Sequence, residues 1–265
     1  MDENRQLYKK KFQPIVRKLK SKMKKEDIND LPEYLDSGST GNIFLIKVDG
    51  KSYVAKLLKD DINWIFDPKA LEGSAGIPNS VQTICYSLSD RAVIMELLPG
   101  VNVSKRIVTE KLKYPGRHIL QLIETMIALS ERGITIDATP ANFLYCEKMG
   151  FQFLDFNFSE DANTYLVKSI IYLGQNVLVN GIFQPTKALT PDERVVEQYK
   201  VYFRNIIHFL TILEKRYPQI LEDWRIKSRQ YTFDCGFKRS QWITLPPPDH
   251  VDLAPYLIKL KSFKV

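Results

Sequence analysis

The chain has 265 residues, 44% hydrophobic and 26% charged, an ordinary balance for a soluble globular protein and long enough for one large domain or two lobes sharing a cleft. No run approaches the roughly 18 apolar residues of a membrane-spanning helix, no apolar core follows the basic N-terminus as a signal peptide requires, and Cys85, Cys146 and Cys235 fit neither a disulfide framework nor a zinc site. A reducing compartment, by default the cytoplasm, is expected. The net charge of +7 is uneven: residues 1–25 hold ten Lys/Arg against Asp2 and Glu3, a local +8, which leaves the rest at about −1.

Residues 1–30 form a basic N-terminal segment. In "YKKKFQPIVRKLKSKMKK", Ile15, Val16, Leu19 and Met23 recur at helical spacing, which predicts a short amphipathic helix with a cationic face. Two readings stay open. The apolar stripe packs on a neighbouring lobe, or the helix docks an anionic partner such as an acidic membrane surface, polyphosphate or nucleic acid. No aromatic interleaving or base-reading motif accompanies it, so sequence-specific nucleic acid is not expected.

A β-rich stretch follows. "NIFLIKV", Asp49-Gly50 and "KSYVAKLL" predict two strands joined by a tight turn, because Asp-Gly tolerates the positive φ such turns need. "FDPKALEG" reads as a short helix with Asp67 as N-cap and Pro68 at its first position. "GIPNSVQTICYSL" and "RAVIMELL" are apolar enough for two further strands, so residues 35–98 make a small sheet with one helix. Beyond Val103 the period changes. "HILQLIETMIALSERG" sets Ile119, Leu122, Ile123, Met126, Ile127 and Leu129 on one broad face, with Gly133 as its end. Thr190, Pro191 and Glu193 open a long helix with a capping box. "LPPPDH" breaks the pattern, and the last fifteen residues predict another short helix. The fold class is α+β: a β-rich lobe over 31–98 and a helical lobe over 99–265, with a cleft between them.

Four segments carry chemistry. "LDSGSTGNIF" sets Gly38 and Gly41 in a turn where the backbone amides of residues 38–42 can approach phosphate. Lys56 lies on the strand after the hairpin among neighbours that read as buried, where a lysine asks for an anionic partner. "IMELLPG" ends a strand with a charge and then Pro-Gly, as a linker between lobes would. "DATPANFLY" and "FLDF" set Asp137, Asn142 and Asp155 beside apolar runs, at intervals of five and thirteen. "NFLY" and "FQFLDF" read as a hairpin around "CEKMG".

In that order these segments resemble the protein-kinase-like phosphotransferases: glycine-rich loop, strand lysine, hinge, D-x-x-x-x-N loop, then D-F-G, over roughly residues 35–158. The resemblance implies a bilobal fold, ATP and Mg²⁺. It implies that Lys56 holds the α- and β-phosphates while Gly38, Ser39, Thr40 and Gly41 cover them. Ile43 and Val54 would enclose the adenine, with Met95, Glu96 and Leu98 at the hinge. Asn142 and Asp155 would coordinate Mg²⁺. Asp137 would take the acceptor hydroxyl's proton. For the lysine's acidic partner two residues stand open, Glu72 and Asp67.

The departures are specific. Asp36 replaces the first glycine of the loop, and H-R-D reads Thr135-Ile136-Asp137. Thr139 stands where many protein kinases carry lysine, which is similar to the compact atypical kinases of the Bud32 and RIO type. D-F-G reads Asp155-Phe156-Asn157, with asparagine expected to keep a left-handed backbone. No A-P-E follows, which implies a reduced activation segment. An atypical serine/threonine protein kinase is the reading these features favour. The alternatives are a small-molecule kinase of the aminoglycoside or sugar phosphotransferase kind and a nucleotide-binding pseudokinase acting as a binding module. The acceptor is accordingly a protein or small-molecule hydroxyl.

Overall fold

A computed structural model of the chain describes residues 2–37, 41–59, 68–106, 114–162, 166, 169–170, 173 and 193–223. Gly38, Ser39, Thr40, Asp67, the Thr190-Pro191 cap, "LPPPDH" and the last fifteen residues lie outside them, as does most of the stretch where a reduced activation segment is expected. The chain divides into two compact units, Met1–Leu98 and Pro99–Val265.

The first unit is built on a five-stranded antiparallel sheet: β1 (Tyr34–Ser37), β2 (Gly41–Val48), β3 (Lys51–Leu58), β4 (Thr83–Ser87) and β5 (Ala92–Glu96), in the order β1-β2-β3-β5-β4. The β2–β3 hairpin turns on Asp49 (φ 50°) and Gly50 (φ 76°), the paired left-handed conformations of a two-residue hairpin loop. Gly41 opens β2 for a steric reason, since a Cβ there would meet the Leu57 carbonyl oxygen at 2.7 Å. Of the predicted "FDPKALEG" helix, Pro68–Gly73 is present as α3, whereas α1 (Asp2–Leu7) and α2 (Gln13–Met23) lie at the N-terminus. The residues before Thr83 in "GIPNSVQ" are turns that bury Ile77, Ser80 and Val81, not strand.

The basic segment is part of this unit's core. A π-helical turn, Tyr8–Phe12, joins α1 to α2. Lys, Arg, Leu and Met are good helix formers, and Pro14, which has no N–H to give, stands just after the π-helical turn, where the Gln13 N–H reaches back to the Tyr8 carbonyl. Val16 and Leu19 are buried as the period predicts, with Ile15 and Met23 half-buried beside them. Two larger residues, Tyr8 and Phe12, do more of the packing. They share a core with Phe44, Ile46, Val48, Ala55, Leu57, Cys85 and Ile94, all on one face of the sheet. Fully burying each such side chain is worth roughly 1.5–3 kcal/mol. Polar contacts set the register of the helix on the sheet. The Asn4 side chain accepts from the Tyr86 N–H (3.1 Å), Gln13 donates to Asp90 (2.8 Å), and Lys11 and Lys22 pair with Asp49 (2.7 Å) and Glu33 (2.9 Å).

The second unit begins with β6 (Val101–Asn102) and α4 (Val103–Arg106). The predicted helix over "HILQLIETMIALSERG" is α5 (Gly116–Glu131), and it buries Ile119, Leu122, Ile123, Met126 and Leu129. Ile127 is only half-buried, while His118, Thr125 and Ser130 are buried polar members that the apolar period does not show. β7 (Ile134–Ile136), β8 (Phe143–Cys146), β9 (Gly150–Phe153) and β10 (Phe156–Phe158) follow, then α6 (Glu193–Arg216). The expected hairpin around "CEKMG" is β8–β9, with Phe143 opposite Phe153 and Cys146 opposite Gly150. Its aromatic side chains stack edge to face, Phe143 on Phe153 at 4.9 Å and Tyr145 on Phe151 at 5.0 Å, against α5. Among the described residues no helix is long and apolar enough to cross a membrane.

Candidate functional site

The candidate residues fall into two groups, one in each unit. In the first unit, strand alternation sorts them by face. Phe44, Ala55 and Ile94 point into the helix-covered core, so their neighbours face the other way. Cross-strand register lines up Ile43, Lys56 and Val93 in one row and Leu45, Val54 and Met95 in the next. Ile43, Val54, Lys56 and Met95 therefore share one sheet face, with half-buried Lys56 set among apolar neighbours. Glu96, one residue on, is opposite Tyr53 on the core side. Its N–H donates to the Gln82 carbonyl (3.1 Å) and its carboxylate accepts from the Gln82 N–H (2.9 Å). Leu97 is exposed and Leu98 half-buried, in a stretch without regular structure. Glu72, exposed on α3, accepts from the Tyr86 hydroxyl at 3.2 Å.

In the second unit, Asp137, Asn142 and Asp155 are brought together by backbone pairing. β7 and β10 are antiparallel, with Ile136 opposite Phe156. Asp137 leaves the end of one strand as Asp155 enters the end of the other, which puts the two carboxylates at the same edge of the pair. Asn142 ends a short 3₁₀ turn, Pro140–Asn142, and ties that edge together. Its side-chain amide donates to the Asp137 carbonyl (2.8 Å), and its own carbonyl accepts from the Leu154 N–H (2.9 Å), one residue before Asp155. The Thr139 N–H donates to the same Asp137 carbonyl at 2.7 Å. Because Nδ2 of Asn142 is engaged there, its Oδ1 is turned away as an oxygen donor. Asp137 and Asp155 are exposed and Asn142 is half-buried, so the carboxylates stay solvated in spite of the apolar strands behind them.

The backbone departs from expectation at one point. Asn157 lies in β10, paired with Thr135, and is extended. The left-handed residue is Asp155, at φ 52°. Pairing of Phe156 and Phe158 with β7 holds residue 157 extended, so the reversal falls before Phe156. Aspartate is among the few non-glycine residues that tolerate it.

Two residues near this edge escape a motif search. Asn102, at the N-terminus of α4, donates from Nδ2 to the Ala141 carbonyl (2.7 Å), next to Asn142. Its Oδ1 accepts from the N–H (2.9 Å) and the hydroxyl of Ser104, which fixes the amide so that Nδ2 meets Ala141. The signal was available: Asn-Val-Ser one residue after Pro99-Gly100 is a helix-cap pattern. Neither described cysteine supplies a nucleophile on an evident site, and burial pushes the Cys85 thiol up to about 12. The described residues contain no cluster of three His, Cys, Asp or Glu, so the donor set at the β7–β10 edge is two carboxylates and one amide oxygen.

No family model matches the chain, and no curated protein matches it. Among solved structures, the kinase PK-1 of Cydia pomonella granulovirus is similar to it at 16% identity and a TM-score of 0.39. The match covers 55% of this chain and 57% of that one, so the chain spans little more than half of that kinase's length. At the level the structure itself defines, this is a mixed α/β protein with a β-sheet unit and a unit of helices and short strand pairs.

Proposed function

We propose that the chain is an ATP- and Mg²⁺-dependent phosphotransferase of the protein-kinase-like kind, acting on a protein serine or threonine hydroxyl. One observation carries this reading: Asp137, Asn142 and Asp155, separated by five and thirteen residues, are tied to one edge by the β7–β10 pairing and the two Asn142 hydrogen bonds. The donor set fits the cation. Mg²⁺ prefers oxygen ligands, and the carboxylate of Asp155 with Oδ1 of Asn142 would supply two of them. Once bound, the metal would neutralise charge on the transferred phosphoryl group.

The chain's own residues would do the rest. Lys56 would pair with the α- and β-phosphates, and the amides around Gly38, Ser39, Thr40 and Gly41 would cover them. Ile43 and Val54, on the face that carries Lys56, would cover the adenine ring, whose edge would meet backbone groups from Glu96 to Leu98 beyond Met95. Asp137, its carbonyl held by Asn142 and Thr139, would orient the acceptor hydroxyl and take its proton. The hydroxyl oxygen would then bond to the γ-phosphorus as the bond to the β–γ bridging oxygen breaks and ADP leaves. For the lysine's carboxylate, Glu72 is favoured over Asp67. The left-handed Asp155 is the kind of strained residue that collects at functional sites, which adds support.

The test is thermal and enzymatic. Mg-ATP is expected to raise the melting temperature of the wild type, and Lys56→Ala and Asp155→Asn to abolish the rise. Asparagine is chosen at 155 because it tolerates the same backbone. No shift with Mg-ATP in the wild type would sink the nucleotide site. Labelled ATP offered with protein, peptide, aminoglycoside and sugar acceptors then separates a protein kinase from a small-molecule kinase. A shift without turnover on any acceptor assigns the chain to the pseudokinase class.

A further inference from the structure

The N-terminal helix has two faces, and packing consumes only one. Tyr8, Phe12, Val16 and Leu19 are buried in the first unit's core, so the apolar side is unavailable to any outside partner. On the other side, Lys10, Pro14, Arg17, Lys18, Ser21, Lys24 and Lys25 follow the helical period, and all seven are exposed. Five of them are cations, and from Asn4 to Lys25 the chain has no Asp or Glu. Lys11 and Lys22 are neutralised against Asp49 and Glu33, but they lie off this row. Within it, Arg17 makes the one ion pair among the described residues, a long contact of 3.9 Å to Asp90. From Lys10 to Lys25 the row spans about 22 Å at the helical rise.

From this we infer that the outer face of the N-terminal helix is a binding surface for the phosphate backbone of nucleic acid, without sequence preference. The choice of partner follows from what the helix lacks. An amphipathic helix that binds membranes does so by burying its apolar face in the lipid interface, and here that face is already spent on the sheet. The outward positions offer no Leu, Phe or Trp to insert. From Lys10 to Lys25 they also offer no Asn, Gln or aromatic side chain with which to read or stack on bases, which leaves contact with phosphates. A row of lysines and one arginine along the π-turn, α2 and the turn just past it suits a polyanion whose binding is driven by counterion release. The inference stands apart from the phosphotransferase reading and survives its failure.

A labelled mixed-sequence DNA duplex, titrated with the full chain by fluorescence anisotropy across a salt series, tests it. With about five phosphates neutralised, log K is expected to fall against log salt with a slope of about −4.5. The triple variant Lys18→Gln, Lys24→Gln and Lys25→Gln leaves two cations of the row and should bring the slope to about −2. Its melting temperature should match the wild type, since these three side chains are exposed. The same proteins are then mixed with vesicles containing phosphatidylserine. No duplex binding at about 50 mM salt, where phosphate contacts are strong, overturns the proposal. So does a slope that the triple variant leaves unchanged, or capture by the vesicles without binding to the duplex.

Discussion

Replacing Asn102 with aspartate tests whether the loop that carries Asn142 is held from outside. Aspartate keeps the oxygen that accepts from Ser104, so the cap of α4 survives. It loses the Nδ2 donor and turns a second oxygen toward the Ala141 carbonyl, 2.7 Å from the atom it replaces. A lost neutral hydrogen bond is worth about 1 kcal/mol net. The new oxygen–oxygen contact adds a little, and water softens it because Asn102 is half-buried. A total of about 1 to 1.5 kcal/mol corresponds to a roughly 5- to 10-fold loss. Since Ala141 is joined to Asn142, the loss should appear in the metal-dependent part of nucleotide binding. Calorimetric titration of ATP with and without Mg²⁺ is the assay. The expected result is affinity 5- to 10-fold weaker with the metal and unchanged without it, with the melting temperature lowered by no more than about 2–4 °C. Ser104→Ala, which adds no charge but frees the amide to turn, should give a smaller loss of the same kind. Equal losses with and without Mg²⁺, or none in either, would refute the reasoning.

Two further perturbations address the scaffold. Phe12 is 1% exposed and packs edge to face on Tyr53 at 5.2 Å. Phe12→Ala should cost about 3–5 kcal/mol and lower the melting temperature by roughly 10 °C, whereas Lys10→Ala should leave it within about 1 °C. A drop under about 3 °C for Phe12→Ala would show that the N-terminal helix is not part of the core. His118 is buried, with Nδ1 at 2.9 Å from the Tyr145 hydroxyl and Nε2 accepting from the Arg117 guanidinium at 3.2 Å. Burial, and then the charge of Arg117, hold its pKa below the ordinary 6.5. The unfolded chain therefore binds this proton more readily, and the stability His118 contributes is present above pH 6.5 and lost as pH falls below it. Melting temperatures at pH 7.5 and 5.0 should fall less in His118→Gln than in the wild type. Parallel curves would remove His118 as the cause.

The local elements were the legible part of the fold, because each rests on short-range chemistry. Asp49-Gly50 demanded a two-residue turn, and the structure has one with both residues left-handed. The apolar period of residues 118–129 required an amphipathic helix. The hairpin around "CEKMG" followed from two apolar runs of strand length. The least legible feature was the backbone between Asp155 and Asn157. Its sequence allowed a left-handed turn at either residue, and only the pairing of β10 with β7 chose the first. Phe12 and Tyr8 stand four and eight residues before Val16 on the same helical face, and the three lysines between them hide that continuation of the apolar stripe.

By itself the sequence determined which residues could do chemistry here: an oxygen-rich trio at Asp137, Asn142 and Asp155, a lysine on an apolar strand, and a segment too basic to be neutral anywhere. Residue type and spacing suffice for that, since charge and donor capacity are properties of the side chains. Only tertiary structure decided how they are used. Antiparallel register put Ile43, Val54, Lys56 and Met95 on a common sheet face. Strand pairing drew Asp137 and Asp155 to one edge. The buried apolar side of the N-terminal helix left its lysines facing outward. Each of these depends on contacts between residues far apart in the chain, and no local pattern encodes which distant partner a strand or helix will meet.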